Sequence, residues 1–435
     1  MSFRIVAALV VLSVALAWQG ARGETTPAFS RYFTDGALRI DVIHSGTAES
    51  EDVSIRRVSK EPTWAGSPVN LQPPWDRGKY RLDVFDVKSG KRIHRYGFST
   101  LFGEWQTTGE AARVRRAFEE TLEIPLPRDS VELVLFSRSQ QGEARKIFSA
   151  KVDPNSHLVG PTAPPHGARV LELEVHGAPA RKVDVLILGD GYAAHEEDKF
   201  EGDCRHFLEN FFGAEPFRRM RDRFNVRAIF VPAAGSGIDE PRKNRFIDTP
   251  FGMTFSMFDL PRYCMSEAVW AMHDAAALAP HDAILLMGNS SRYGGGAIYN
   301  HYTVFVSDNE YDDYLTVHEF GHGFVGLADE YYTSAVAYSD FYPPGVEPMA
   351  PNITALLDPA HVKWSRFVEP GTPIPTSEDD AEYREKIGAF EGAGYAAKGL
   401  YRPARDCKMF SKGNKRFCGV CEAAVVAMIE FYAPD

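Results

Sequence analysis

His318, Glu319 and His322 stand in the order H-E-x-x-H, and no other residue types in this chain are better spaced for chemistry. On an α-helix at about 100° per residue, positions four apart lie one turn above each other, so both imidazoles can reach one metal ion. Glu319 sits beside them, placed to take a proton from a metal-activated water rather than to bind the metal. Gly326 suits the left-handed conformation that ends a helix, and Asp329 and Glu330 follow the bend. The spacing returns Asp329 to the metal as third ligand and leaves one position for water, the arrangement of a catalytic Zn2+. Neighbouring side chains in extended backbone point to opposite sides. Glu330 is therefore expected to face away and bond the second nitrogen of a ligand histidine or a neighbouring basic group, and it is the alternative ligand if the two acidic residues exchange roles.

The elements that must position these groups follow from pattern. Leu315, Val317, Phe320, Phe324 and Val325 give the motif apolar faces, so it reads as a helix buried against a core. Upstream, buried-strand patterns at 182–188, 226–231 and 283–287 alternate with helical patterns at 196–212 and 265–278, which implies a largely parallel sheet with crossovers. The Gly-rich stretch 294–306 then reads as extended chain before the active helix. It is either a sheet edge that holds a peptide as an added strand or an ordinary edge strand. Farther on, Met409 lies in a turn before a last helix that opens near residue 417, the position of a methionine that floors a zinc site. Cys407, Cys418 and Cys421 surround that turn. A disulfide within the cluster is expected, because a structural zinc site lacks an obvious fourth ligand.

Composition bounds the class. Residues 1–23 carry Arg4, a short apolar run and Ala21-Arg22-Gly23, the layout of a secretory signal cleaved after Gly23. Its loss takes 48 basic residues to 46 against 59 acidic ones, a net charge of −13 that disfavours nucleic acid and anionic membranes as partners. No other stretch is apolar enough to span a bilayer. Residues 24–152 show short alternating runs at 38–43, 80–85, 93–98, 122–126, 131–136 and 147–152, the rhythm of an antiparallel β-sandwich. Within them, the aromatic stretch 98–105 reads as core or inter-domain packing ahead of a ligand platform. The Pro-rich stretch 153–167 reads as a linker to a catalytic domain at 168–435. The fold class expected is thus two-domain α+β/α/β: a β-sandwich, then a zincin, metzincin-like domain with a mixed sheet and an active-site helix.

Several segments together resemble a known family. They are the stretch from His318 to Tyr331, the ending Tyr401-Arg-Pro with Cys407-Lys-Met409 and Phe417-Cys-Gly-Val-Cys421, Leu186-Ile-Leu-Gly-Asp-Gly-Tyr192, and Thr100-Leu-Phe-Gly-Glu-Trp-Gln-Thr-Thr108. They are similar to the secreted zinc metallopeptidases named after a bacterial IgA protease. The resemblance covers nearly all of the chain after its signal and implies a β-rich front domain on a zincin catalytic domain. It does not carry the substrate across. The chain also departs from the metzincin pattern H-E-x-x-H-x-x-G-x-x-H: one extra residue precedes Gly326, Asp329 replaces the third histidine, and no tyrosine follows two residues after Met409. Transition-state stabilisation is therefore expected from the metal, from backbone donors, or from a residue such as Tyr331 or Tyr401.

These readings point to a secreted, extracytoplasmic zinc endopeptidase acting on extended peptide or protein substrates, immunoglobulin-like or other. Two alternatives use the same sequence. One is an amidase acting on cell-wall or glycoconjugate material, and the other is a binding or adhesion protein with a structural metal.

Overall fold

The structure, a computed structural model, describes residues 28–333, 342–414 and 416–434. The expected signal segment, residues 1–23, lies outside the described residues. After a single helical turn α1 (Phe29–Tyr32), the front domain forms strands β1 (Phe33–Gly46), β2 (Glu51–Glu61), β3 (Tyr80–Asp86), β4 (Arg92–Phe98), β5 (Arg116–Pro127), β6 (Val131–Arg138), β7 (Ala144–Val152) and β8 (Gly160–Pro161). They make two four-stranded sheets of order β5-β1-β2-β8 and β4-β3-β6-β7. Alternate residues of both sheets, among them Leu38, Ile40, Leu82, Val84, Leu122 and Leu133, turn to one buried core, because side chains along a strand point to opposite faces.

Two features of this domain depart from expectation. Strand β2 has no visible hydrophobic alternation because its outward face carries Asp52, Arg56 and other charged side chains in solvent. The stretch read as a linker contributes β8, which pairs parallel with β2, Ser59 opposite Gly160, so that sheet is not wholly antiparallel.

The second domain is built on a six-stranded sheet of order β13-β14-β12-β10-β11-β9. Its strands are β9 (Arg169–Glu174), β10 (Val183–Asp190), β11 (Phe224–Phe230), β12 (Ala283–Gly288), β13 (Gly295–Ile298) and β14 (Tyr302–Val306). The inner strands β14, β12, β10 and β11 run parallel, and both edges are antiparallel. Every residue of β10 is buried, as a strand covered on both faces requires. Helices α2 (Leu101–Trp105, in the front domain), α3 (Glu197–Gly213), α4 (Val269–Ala276), α5 (Asp312–Phe320) and α6 (Gly419–Tyr432) complete the fold with a hairpin, β15 (Phe390–Ala393) and β16 (Ala396–Arg402). Helix α4 is shorter than the expected 265–278 because the Met265 backbone pairs with Thr254 as an extended bridge. No helix among the described residues is long and apolar enough to cross a membrane.

The active-motif helix is held by aromatic packing. Phe320 on α5 meets Phe211 of α3 with ring centroids 5.0 Å apart and stacks on Phe324 at 4.8 Å, in a core that also takes Val425 and Met428 of α6. After Phe320 the helix widens into one π turn, Gly321–Val325, and stops at Gly326 with φ +75°. Gly323 rests so close to β14 that a Cβ there would meet Thr303 Oγ1 at 2.0 Å.

The two domains share a wall. Helix α2, capped by Thr100 Oγ1 on Gly103 N at 3.0 Å, buries Leu101, Phe102 and Trp105 beside Cys264 and Met265 of the second domain. Fully buried Arg39 bonds Asp41 at 2.7 Å and Asp274 at 2.8 Å across the boundary, and Trp270 Nε1 donates to Glu120 O at 3.0 Å. A charge buried this way needs fixed partners, so the network sets the relative placement of the domains.

Candidate active site

Helix α5 and its π turn place His318 and His322 one above the other, Nε2 to Nε2 3.1 Å. The bend after Gly326 returns Asp329, whose Oδ1 lies 3.1 Å from His318 Nε2 and 3.2 Å from His322 Nε2. The other nitrogen of each ring is spoken for. His318 Nδ1 lies 3.1 Å from the Lys408 carbonyl and 2.9 Å from the Tyr314 hydroxyl, and His322 Nδ1 lies 2.6 Å from the Leu327 carbonyl. A carbonyl only accepts, so both Nδ1 atoms carry a proton, and each Nε2 is the atom that offers a lone pair whenever its ring is neutral. With both rings neutral, two lone pairs and a carboxylate oxygen converge within about one atomic diameter, and either a proton shared between His322 and Asp329 or a metal cation among the three relieves the repulsion. The donor set, two imidazoles and a carboxylate with a place left open, fits zinc.

The charges follow the same logic. Burial opposes ionisation of Asp329, but His322 and His318 beside it hold its carboxyl well below the usual carboxylate range. Burial likewise opposes charge on His322, yet Asp329 outweighs it and raises the pKa to about 9. Burial pushes the Glu319 carboxyl up, against the pull of the two histidines. Glu319 packs over the edge strand β13, where a Cβ on Gly295 would lie 3.2 Å from Glu319 Oε1 and crowd the carboxylate.

The sequence-level candidates divide in two. Met409 is fully buried beneath the motif, and a Cβ on Gly321 would meet its Sδ at 3.2 Å. Tyr331 lines the cavity above Asp329. Tyr401 does not reach the site: it lies on β16, its backbone bonded to Thr354 and its ring against a separate apolar cluster. Glu330 turns away from both histidines: its Oε1 accepts from Asn352 Nδ2 at 3.0 Å and from Cys421 Sγ at 3.0 Å. Backbone carbonyls hold the histidines instead. The three clustered cysteines expected to share a disulfide are separate thiols, gathered around that Glu330 carboxylate.

Three further residues contribute to the site and its wall. Tyr395, from the turn between β15 and β16, donates to Asp329 Oδ2. Tyr314 had a readable signal, since it precedes His318 by four residues on one helix face. Glu104 of α2, bonded by Tyr263, stands on the cavity wall, and burial lifts its pKa to about 7.

A cavity of about 620 Å³ opens over these groups. Lys79, Thr100, Glu104 and Arg138 of the front domain form one side, and Arg262, Tyr293 and the edge strand from Gly295 to Ala297 form the other. The edge is covered at its two ends, by Cys264 N on Gly295 O and by Ser99 N on Tyr299 O, so a short segment of β13 faces the cavity between them.

A family model described as IgA Peptidase M64 matches residues 171–386 and 377–429, and one described as Peptidase M64 N-terminus matches residues 28–149. No curated protein matches the chain.

Proposed function

Because the chain belongs to the IgA peptidase M64 family and is thereby a peptidase, we propose that it is a secreted zinc endopeptidase, with His318, His322 and Asp329 as metal ligands and Glu319 as general base. One observation carries the reading: three lone-pair donors converge at the foot of a substrate-sized cavity with Glu319 beside them on the same helix. In this reading the front domain is a β-sandwich and the second domain a zincin, with secretion directed by residues 1–23.

Bound zinc supplies Lewis acidity toward the scissile carbonyl and toward the attacking water. The chain's own residues do the rest. Glu319 takes the water's proton at a carboxylate oxygen and passes it to the leaving amine, and burial, which raises its pKa, makes it a stronger base toward that proton. Asp329, held by Tyr395, and the carbonyl-anchored histidines keep the three donors aimed at one point. Tyr331, with Tyr293 and Arg262 on the cavity wall, is placed to donate to charge developing on the carbonyl oxygen. An extended substrate backbone lies along β13, where glycines at 295 and 296 permit close approach.

The test is Glu319→Gln. That variant is expected to keep its zinc after dialysis and lose at least about 100-fold in peptide hydrolysis, the scale of a lost general base. Turnover equal to wild type would overturn the assignment. Casein digestion with and without a chelator separates the reading from an adhesion protein, which would bind without cleaving.

A further inference from the structure

Behind the bend that carries Asp329, a second set of donors converges, on the far side from the cavity. Glu330, Cys407, Cys418 and Cys421 each offer one atom, all within 4.8 Å of one another. We propose that these four residues form a second, structural metal site that takes a zinc ion and clamps the catalytic centre from behind.

Four arguments support it. Zn–S bonds of about 2.3 Å and Zn–O bonds of about 2.0–2.2 Å in a tetrahedron place donors roughly 3.5–3.8 Å apart, and the four donor atoms here lie within 4.8 Å of one another, close to that spacing. Cys418 and Cys421 form a C-x-x-C pair at the start of α6, with Cys418 as its N-cap, so that both sulfurs face one point. Glu330 supplies the fourth donor. Its side chain is fully buried, with Oε1 against Cys421 Sγ and Asn352 Nδ2, while Oε2 has no hydrogen-bond partner. A carboxylate buried in that state is costly, and weak thiol donors do not compensate it, whereas a divalent cation does. Three soft thiolates select zinc over magnesium or calcium, and with all four positions filled by protein the site is structural rather than catalytic. Binding releases the thiol protons to solvent.

The site would hold the catalytic groups through their immediate neighbours. Cys407 precedes Lys408, whose carbonyl fixes His318 Nδ1, and Glu330 follows Asp329 while its N–H donates to the Met409 carbonyl at 2.8 Å. A disulfide would satisfy two sulfurs and still leave Glu330 Oε2 buried without a partner.

The experiment counts zinc per chain on purified full-length protein. Wild type is expected to hold two ions, and a His318→Ala/His322→Ala variant one. Cobalt loaded into that double variant, its cysteines untouched, is expected to give a thiolate-to-cobalt charge-transfer band, which a site of histidines and carboxylate lacks. Adding Cys418→Ser should abolish band and ion together. A double variant that binds neither metal overturns the proposal, as does an intact mass lighter by two hydrogens with a disulfide mapped inside the cluster. The inference stands apart from the peptidase reading, because Glu319→Gln tests that reading and leaves these counts unchanged.

Discussion

Asp329 and Glu330 turn their carboxylates to opposite sides of one bend: Asp329 Oδ1 lies 3.2 Å from His322 Nε2, and Glu330 Oε1 lies 3.0 Å from Cys421 Sγ. The alternation of extended backbone therefore couples two polar centres through a single peptide unit. A shift of either side chain is felt by the other.

The orientation of Asp329 depends on more than the bend. Tyr395 donates to its Oδ2, leaving Oδ1 directed at the histidines. Removing an outer partner of a metal ligand typically costs about 10- to 100-fold in metal affinity. Tyr395→Phe is therefore expected to weaken zinc binding at the His318 site by about that factor, and Asp329→Ala to abolish retention after dialysis. Competition with a zinc chelator reads both; an unchanged affinity in Tyr395→Phe would remove the orienting role.

Gly326 ends the motif helix at φ +75°, and a Cβ there would lie 2.9 Å from the Tyr299 ring. Left-handed backbone costs a residue with a Cβ about 1–2 kcal/mol, and the contact with half-buried Tyr299 adds to it. Gly326→Ala is expected to lower the midpoint of denaturant unfolding and also to reduce zinc content, because the same turn aims Asp329. A variant that unfolds at the wild-type midpoint would show that the bend relaxes freely.

The contrast between these residues explains what could be read from sequence alone. From His318 to Asp329 every relationship spans one or two helical turns and a cap, so local period and a glycine were enough to draw it. The partner of Glu330 is 91 residues away and that of Asp329 is 66 residues away, and no spacing rule reaches so far. Strand β2 hid behind its solvent-facing charges, and the β15–β16 hairpin behind Gly392 and Gly394, both at positive φ. The front domain's place on the cavity wall rests on Arg39, Arg57, Asp41 and Asp274, a charge network that an alternation pattern does not register.

The domain boundary also has a pH dependence of definite sign. His281 Nε2 lies 3.3 Å from Glu123 Oε2 across it, with Glu61 and His273 close by. Burial opposes charge on His281, but Glu123 and Glu61 outweigh it and raise the folded pKa to about 9. Its contribution is thus fully present below the unfolded value of about 6.5 and is lost as pH rises through 9. Glu61, raised mainly by burial, acts in the same direction: the fold keeps its proton where the unfolded chain has released it. Burial lowers His273, whose effect falls on the acid side, where the unfolded chain takes up a proton that the fold refuses. The contribution of this boundary cluster is therefore expected to decline as pH rises from 6.5 toward 9, with His281 contributing up to roughly 3 kcal/mol of the change. Thermal unfolding of wild type and His281→Asn across pH 6–9.5 checks it: the variant should show a flatter alkaline slope, and identical slopes would mean the Glu123–His281 pair is not linked to stability.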